Sequence, residues 1–74
     1  MGKRQFHLSE AAANELQGAF QACKDGPTRT RLQAVRLYGV GQSINEIEQV
    51  CVCTRSALMN WCRAYRNGGI AELF

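Results

Sequence analysis

Arg55, Ser56, Met59, Asn60 and Arg63 follow one another at spacings that gather them along one side of any helix containing them. Their chemistry is that of base-edge recognition. An asparagine amide at position 60 can pair bidentately with an adenine edge, and the fork of Arg63 matches O6 and N7 of guanine. Ser56 is short enough to permit close approach, and Arg55, Met59 and Arg66 lie on one flank. Arg55, at the helix start, can reach either a base or a phosphate, whereas Arg66 meets backbone. Asn67 ends the same face and belongs with the backbone contacts. Each of these residues alone reads equally well as decoration of a solvated surface, so the set carries the argument rather than any member.

The elements that must position them are written just as locally. Thr54 can cap a helix over residues 55–67 whose opposite side holds Leu58, Trp61, Cys62 and Tyr65. Trp61 could be a stacking platform for a base, but its place in this apolar stripe makes it a core anchor. Upstream, Ser43 followed three residues later by Glu46 has the form of a capping box, each side chain answering a backbone N–H. The helix it opens buries Ile44, Ile47 and Cys51, with Val50 widening the stripe. Val52 and Cys53 are left to form the turn. Two helices joined this tightly make a helix-turn-helix, which leaves the outer face of the second free to enter a DNA major groove.

Earlier in the chain, residues 3–7 read as a short arm and Ser9 as the cap of a helix over residues 10 to about 24, with Ala12, Leu16, Ala19, Phe20 and Cys23 at helical spacing. Asp25-Gly26-Pro27 stops that pattern. Thr28 is expected to cap a second helix with Leu32, Val35, Leu37 and Tyr38 apolar and Arg29, Arg31 and Arg36 toward solvent, ending at Gly39-Val40-Gly41. Asn67-Gly68-Gly69 ends the last long helix. Residues 70–74 either fold back on the core or continue into further protein. No strand alternation, internal repeat or low-complexity tract is present. The expected fold is all-α: a homeodomain-like three-helix core containing the helix-turn-helix, preceded by one extra N-terminal helix. Residues 1–8 are expected to be a flexible basic arm and residues 9–74 a single domain.

Bulk properties narrow the function. A chain of 74 residues buries about 60% of the surface it would expose unfolded, so its core must be compact. No apolar run approaches the roughly 20 residues needed to cross a bilayer, and the basic start is not followed by an apolar leader, so the expected location is the cytoplasm, or the nucleoid in a bacterium. The net charge of +3 lies wholly in residues 28–74, where six arginines face three glutamates. Arginine suits phosphate and guanine better than lysine does, although small soluble domains also carry surplus arginine on solvated faces. Phosphate contacts are expected at the helix starts, from Gln42, Ser43 and Thr54, and from Arg29 and Arg31, with Lys3 and Arg4 lying in a minor groove. Cys51 and Cys53 are one residue apart, unlike common zinc loops, and Cys23, Cys51 and Cys62 fall on apolar faces, so the four cysteines read as small reduced hydrophobes. Lone His7 adds no ligand set. No metal or cofactor is expected.

From position 8 to 73 the chain resembles the N-terminal DNA-binding region of insertion-sequence transposases of the mariner-like superfamily. The residues that carry the likeness are His7-Leu8-Ser9, Arg31, Gly41-Gln42-Ser43-Ile44, Glu46-Ile47, Thr54-Arg55-Ser56, Trp61, Tyr65, and Gly69 with Leu73. The resemblance implies binding of double-stranded DNA at the terminal repeats of a mobile element, with catalysis in a separate acidic domain. It leaves room for a homodimer or for a separate catalytic transposase chain as partner. With no length left for a sheet carrying an acidic triad, the chain is not expected to be an enzyme. Two residues depart from the pattern. Glu48 stands where a small residue usually lets the helices approach, and Val52 stands where the turn usually has glycine. Either the turn adopts another conformation or it stores strain. The rival function is a helical protein-interaction or dimerisation module whose apolar tail, residues 70–74, docks on a partner instead of the chain binding DNA.

Overall fold

The computed structural model describes residues 6–74. Lys3 and Arg4 therefore lie outside the described residues. Four α-helices and a short 3-10 turn make up the fold, and no strand occurs among the described residues. Helix α1 is Glu10–Ala22, α2 is Gly26–Gly39, α3 is Ile44–Cys51 and α4 is Arg55–Gly68, with the 3-10 turn at Ile70–Leu73. The expected all-α architecture is thus the observed one.

Each helix begins where a short polar side chain can accept an amide that the first turn leaves unpaired. Ser9 Oγ accepts from the Ala12 amide at 3.1 Å, and Thr54 Oγ1 accepts from Ala57 at 3.1 Å. Ser43 Oγ accepts from the Glu46 amide at 3.2 Å, and its hydroxyl donates to the Glu46 carboxylate at 3.1 Å. The carboxylate thus closes the box through the Ser43 hydroxyl, not through the backbone N–H expected for it. The start of α2 is a larger correction. Asp25, not Thr28, is the cap: its Oδ2 accepts from the Thr28 amide at 3.1 Å and from the Thr28 hydroxyl at 2.6 Å. Thr28 itself is buried. Pro27 explains the difference, because its fixed φ and missing N–H suit the first helical turn, so it belongs to the opening of α2, while α1 has already stopped at Ala22 with Cys23 as its cap.

Helix α2 is the hub, packing against α1, α3, α4 and the 3-10 turn. Leu32 and Val35 of α2 meet Leu16 of α1, Ile47 of α3, Leu58 of α4 and Leu73 in a fully buried core, closed by Phe6, Ala34, Cys51 and Cys62. Val50, expected to widen the buried stripe of α3, is 59% exposed. It sits about 100° around the helix from Cys51, at the edge of the face packed on α2, where it lines a groove with Gln33 and Leu37. The end of α2 turns through Gly41 at φ +106°, with the Gly41 amide donating to the Tyr38 carbonyl and the Gln42 amide to the Leu37 carbonyl at 3.0 Å. That pair of bonds is a Schellman closure, and it delivers the chain to Ser43.

Phe6 overturns the expectation of a free arm up to residue 8. It is 7% exposed, stacked on Tyr38 with ring centroids 5.8 Å apart and edge-on to Tyr65 at 6.1 Å. The Leu8 amide donates to the Gly39 carbonyl at 3.1 Å, and the Leu8 side chain occupies the space a Cβ at position 39 would need. Burial of the Phe6 ring, worth about 1.5–3 kcal/mol, offsets much of the backbone ordering cost of about 1–2 kcal/mol per residue, and the Leu8 contacts with Gly39 add to it.

Candidate nucleic-acid interface

The corner between α3 and α4 sets the geometry. Val52 lies in the left-handed region at φ 50°, ψ 54°, and the Cys53 amide donates back to the Glu48 carbonyl at 3.3 Å. Of the two alternatives for this residue, the turn keeps the glycine-like conformation and valine carries the strain, costing about 1–2 kcal/mol. Its side chain is 88% exposed, so no packing inside the domain offsets that cost. Glu48 is half-exposed on α3, and its charge raises the pKa of Cys53 as a second cause after burial.

Thr54 then launches α4 with its apolar side inward. Leu58 is fully buried and Cys62 nearly so, while Trp61 and Tyr65 are half-buried at the edges of the stripe. Opposite them, Ser56, Asn60, Arg63 and Asn67 are all exposed, and so are Arg55 and Arg66 on the flank. Met59 is half-buried. It lines a shallow groove with Phe6, Tyr38, Cys62, Arg63 and Arg66. Sequence reasoning missed Phe6 as a neighbour of this face. A lone aromatic in a short polar run has no periodic partner to betray its burial; the only signal was the adjoining Leu8-Ser9 helix entry.

The remaining expected contacts are dispersed. Gln42, Ser43 and Thr54 are exposed at the starts of α3 and α4, with both hydroxyls already engaged in capping. Arg29 is exposed and its guanidinium lies 4.4 Å from the Phe20 ring centroid, a cation–π seam between α1 and α2. Arg31 is half-buried and donates from Nη1 to the Leu73 carbonyl at 3.4 Å, which ties α2 to the 3-10 turn. Arg36, expected toward solvent, is half-buried with its Nε buried and lacking a hydrogen-bond partner.

No disulfide joins Cys23, Cys51, Cys53 or Cys62. Burial, and secondarily the neighbouring Cys53, pushes the Cys51 thiol up, so neither cysteine of the corner is poised as a thiolate. Among the described residues no three His, Cys, Asp or Glu side chains gather as a metal site, and no helix is long and apolar enough to cross a membrane. Comparison with curated proteins and with solved structures found no match. A family model described as a helix-turn-helix domain matches residues 30–74, which takes in most of α2, the Ser43 entry, the Val52 corner, all of α4 and the closing 3-10 turn. That span is more than half of the 74 residues, and the fold it describes is a DNA-binding one, so the chain belongs to the helix-turn-helix domain family.

Proposed function

We propose that the domain binds double-stranded DNA in a sequence-dependent way through the outer face of α4, as the end-recognition part of an insertion-sequence transposase whose cutting activity resides elsewhere. One observation carries the reading. Ser56, Asn60, Arg63 and Asn67 share an exposed face of a helix that is held from behind by Leu58 and Cys62 and set at an angle by the Val52 corner. A face of this kind fits the major groove, where Ser56, Met59, Asn60 and Arg63, with Arg55, read base edges.

Backbone contacts come from Arg66 and Asn67 beside that face, and from Gln42, Ser43 and Thr54 at the two helix starts, where the dipole favours phosphate. Lys3 and Arg4, outside the described residues, are proposed to reach a minor groove, and exposed Arg29 adds charge. Arg31 contributes to the field while its guanidinium is tied to Leu73. The transposase assignment rests on the resemblance over residues 8–73, and the partner it calls for is a catalytic chain or domain, or a second copy of this one.

The rival reading, a protein-interaction module, loses the surface it was based on. Leu73 is fully buried and Ile70 half-buried, so the apolar tail is spent on the domain's own core and only Phe74 of its large residues stays exposed. Fluorescence anisotropy with a labelled random duplex at rising salt separates the two. DNA binding should weaken by about 0.9 log units in affinity per log unit of salt for each phosphate neutralised. Binding indifferent to salt, or none, contradicts the proposal.

A further inference from the structure

Resting on the reading of α4 as the groove-facing helix, we infer that the preferred target contains an A·T pair directly beside a G·C pair, read by Asn60 and Arg63 respectively. Both side chains are exposed and carry no structural hydrogen bond, which leaves their full donor and acceptor sets for a ligand. They are three residues apart on a helix whose start is fixed by the Thr54 cap, so their Cα atoms are separated by about 4.5 Å along its axis. On a helix that enters the groove at an angle, residues three positions apart can contact successive bases, as in zinc-finger helices. Asparagine matches the N6 and N7 groups of adenine and arginine the O6 and N7 acceptors of guanine; neither makes the same bidentate pair with the other base.

The sides of the pair are also chemically distinct. Ser56, four residues before Asn60, falls over the next base pair away from Arg63 and is too short to discriminate strongly. On the Arg63 side, Met59, Arg63 and Arg66 line one groove with Phe6, so a second cation adjoins the G·C pair and is available to the backbone there. The target core is therefore a strongly specified A·T and G·C step with weaker preference at the Ser56 end.

Selection of bound duplexes from a random pool, run with the wild-type chain and with Asn60→Ala and Arg63→Ala, tests this. Melting curves establish that both variants, substituted at exposed positions, remain folded. The expected result is an A·T and a G·C position side by side in the wild-type consensus. Asn60→Ala flattens only the former and Arg63→Ala only the latter, each by about 5- to 150-fold in discrimination. Affected positions separated by one or more base pairs, exchange of the two base identities, or loss of affinity uniform over all sequences would each overturn the inference while leaving salt-sensitive duplex binding intact. Failure of the pool to enrich any duplex, with no salt-sensitive binding, overturns both this inference and the proposed function.

Discussion

Two residues decide how well this small domain holds its shape, and neither role follows from residue type alone. Val52 occupies the left-handed region with its side chain in solvent. Replacing it with glycine removes the Cβ clash without removing any contact, and should raise unfolding free energy by about 1 kcal/mol after the glycine entropy cost, as measured in urea. A drop in stability would mean that valine packs on something after all. Phe6 is the converse case. Phe6→Ala removes the ring between Tyr38 and Tyr65 and should cost about 3 kcal/mol, read as a lower denaturation midpoint. The strain at Val52 was legible in the sequence as a clash between residue type and turn position, whereas the burial of Phe6 was not, because nothing local marks it. Arg31 shows the same limit: its charge was visible, its bond to the Leu73 carbonyl 42 positions away was not.

At the scale of elements, the helix starts are the most readable feature and also the most testable. Ser9, Ser43 and Thr54 cap where hydroxyl and periodicity coincide, and Thr54→Ala should cost about 0.5–2 kcal/mol while loosening the first turn of α4, where Arg55 and Ser56 lie. Amide hydrogen exchange at Ala57 would report that loosening directly. The start of α2 lies earlier than the Asp25-Gly26-Pro27 stop signal suggests, since Pro27 sits in the first turn of α2 and Asp25 is its cap, while α1 ends at Ala22. Asp25 offers a pH signature. The Thr28 hydroxyl, and next its amide, donate to the carboxylate and hold its pKa below the usual carboxylate value. A lowered folded-state pKa means that stability from this contact is present above the unfolded value, about 4, and is lost as pH falls through the folded one. The gap in melting temperature between wild type and Asp25→Ala should therefore be constant near neutrality and narrow below about pH 4. A gap that widens in acid would refute the assignment.

For the whole molecule, the division of labour is between a packed interior around α2 and the exposed polar face of α4. Charge supports that division, since the surplus of +3 resides in residues 28–74, the part that contains the helix-turn-helix. The pairing of helices across the core was readable from apolar spacing at Ile47, Leu58 and Cys62, while the settings of Arg29 over Phe20 of α1 and of Arg31 on the Leu73 carbonyl depend on tertiary packing that no local pattern reveals. The domain also exposes Val50 and Val52 beside Trp61, on the side of α4 away from Asn60 and Arg63, and this second surface is what a competing account would use. The most direct discrimination is a residue-resolved amide NMR titration of the labelled domain with duplex DNA at low salt. The largest shifts should fall on Ser56, Asn60, Arg63 and Asn67, with smaller ones at Ser43 and Thr54 and little change at Val50, Val52 and Trp61. Shifts concentrated instead on Val50, Val52 and Trp61, or none anywhere on α4, would contradict the claim that its outer face meets DNA.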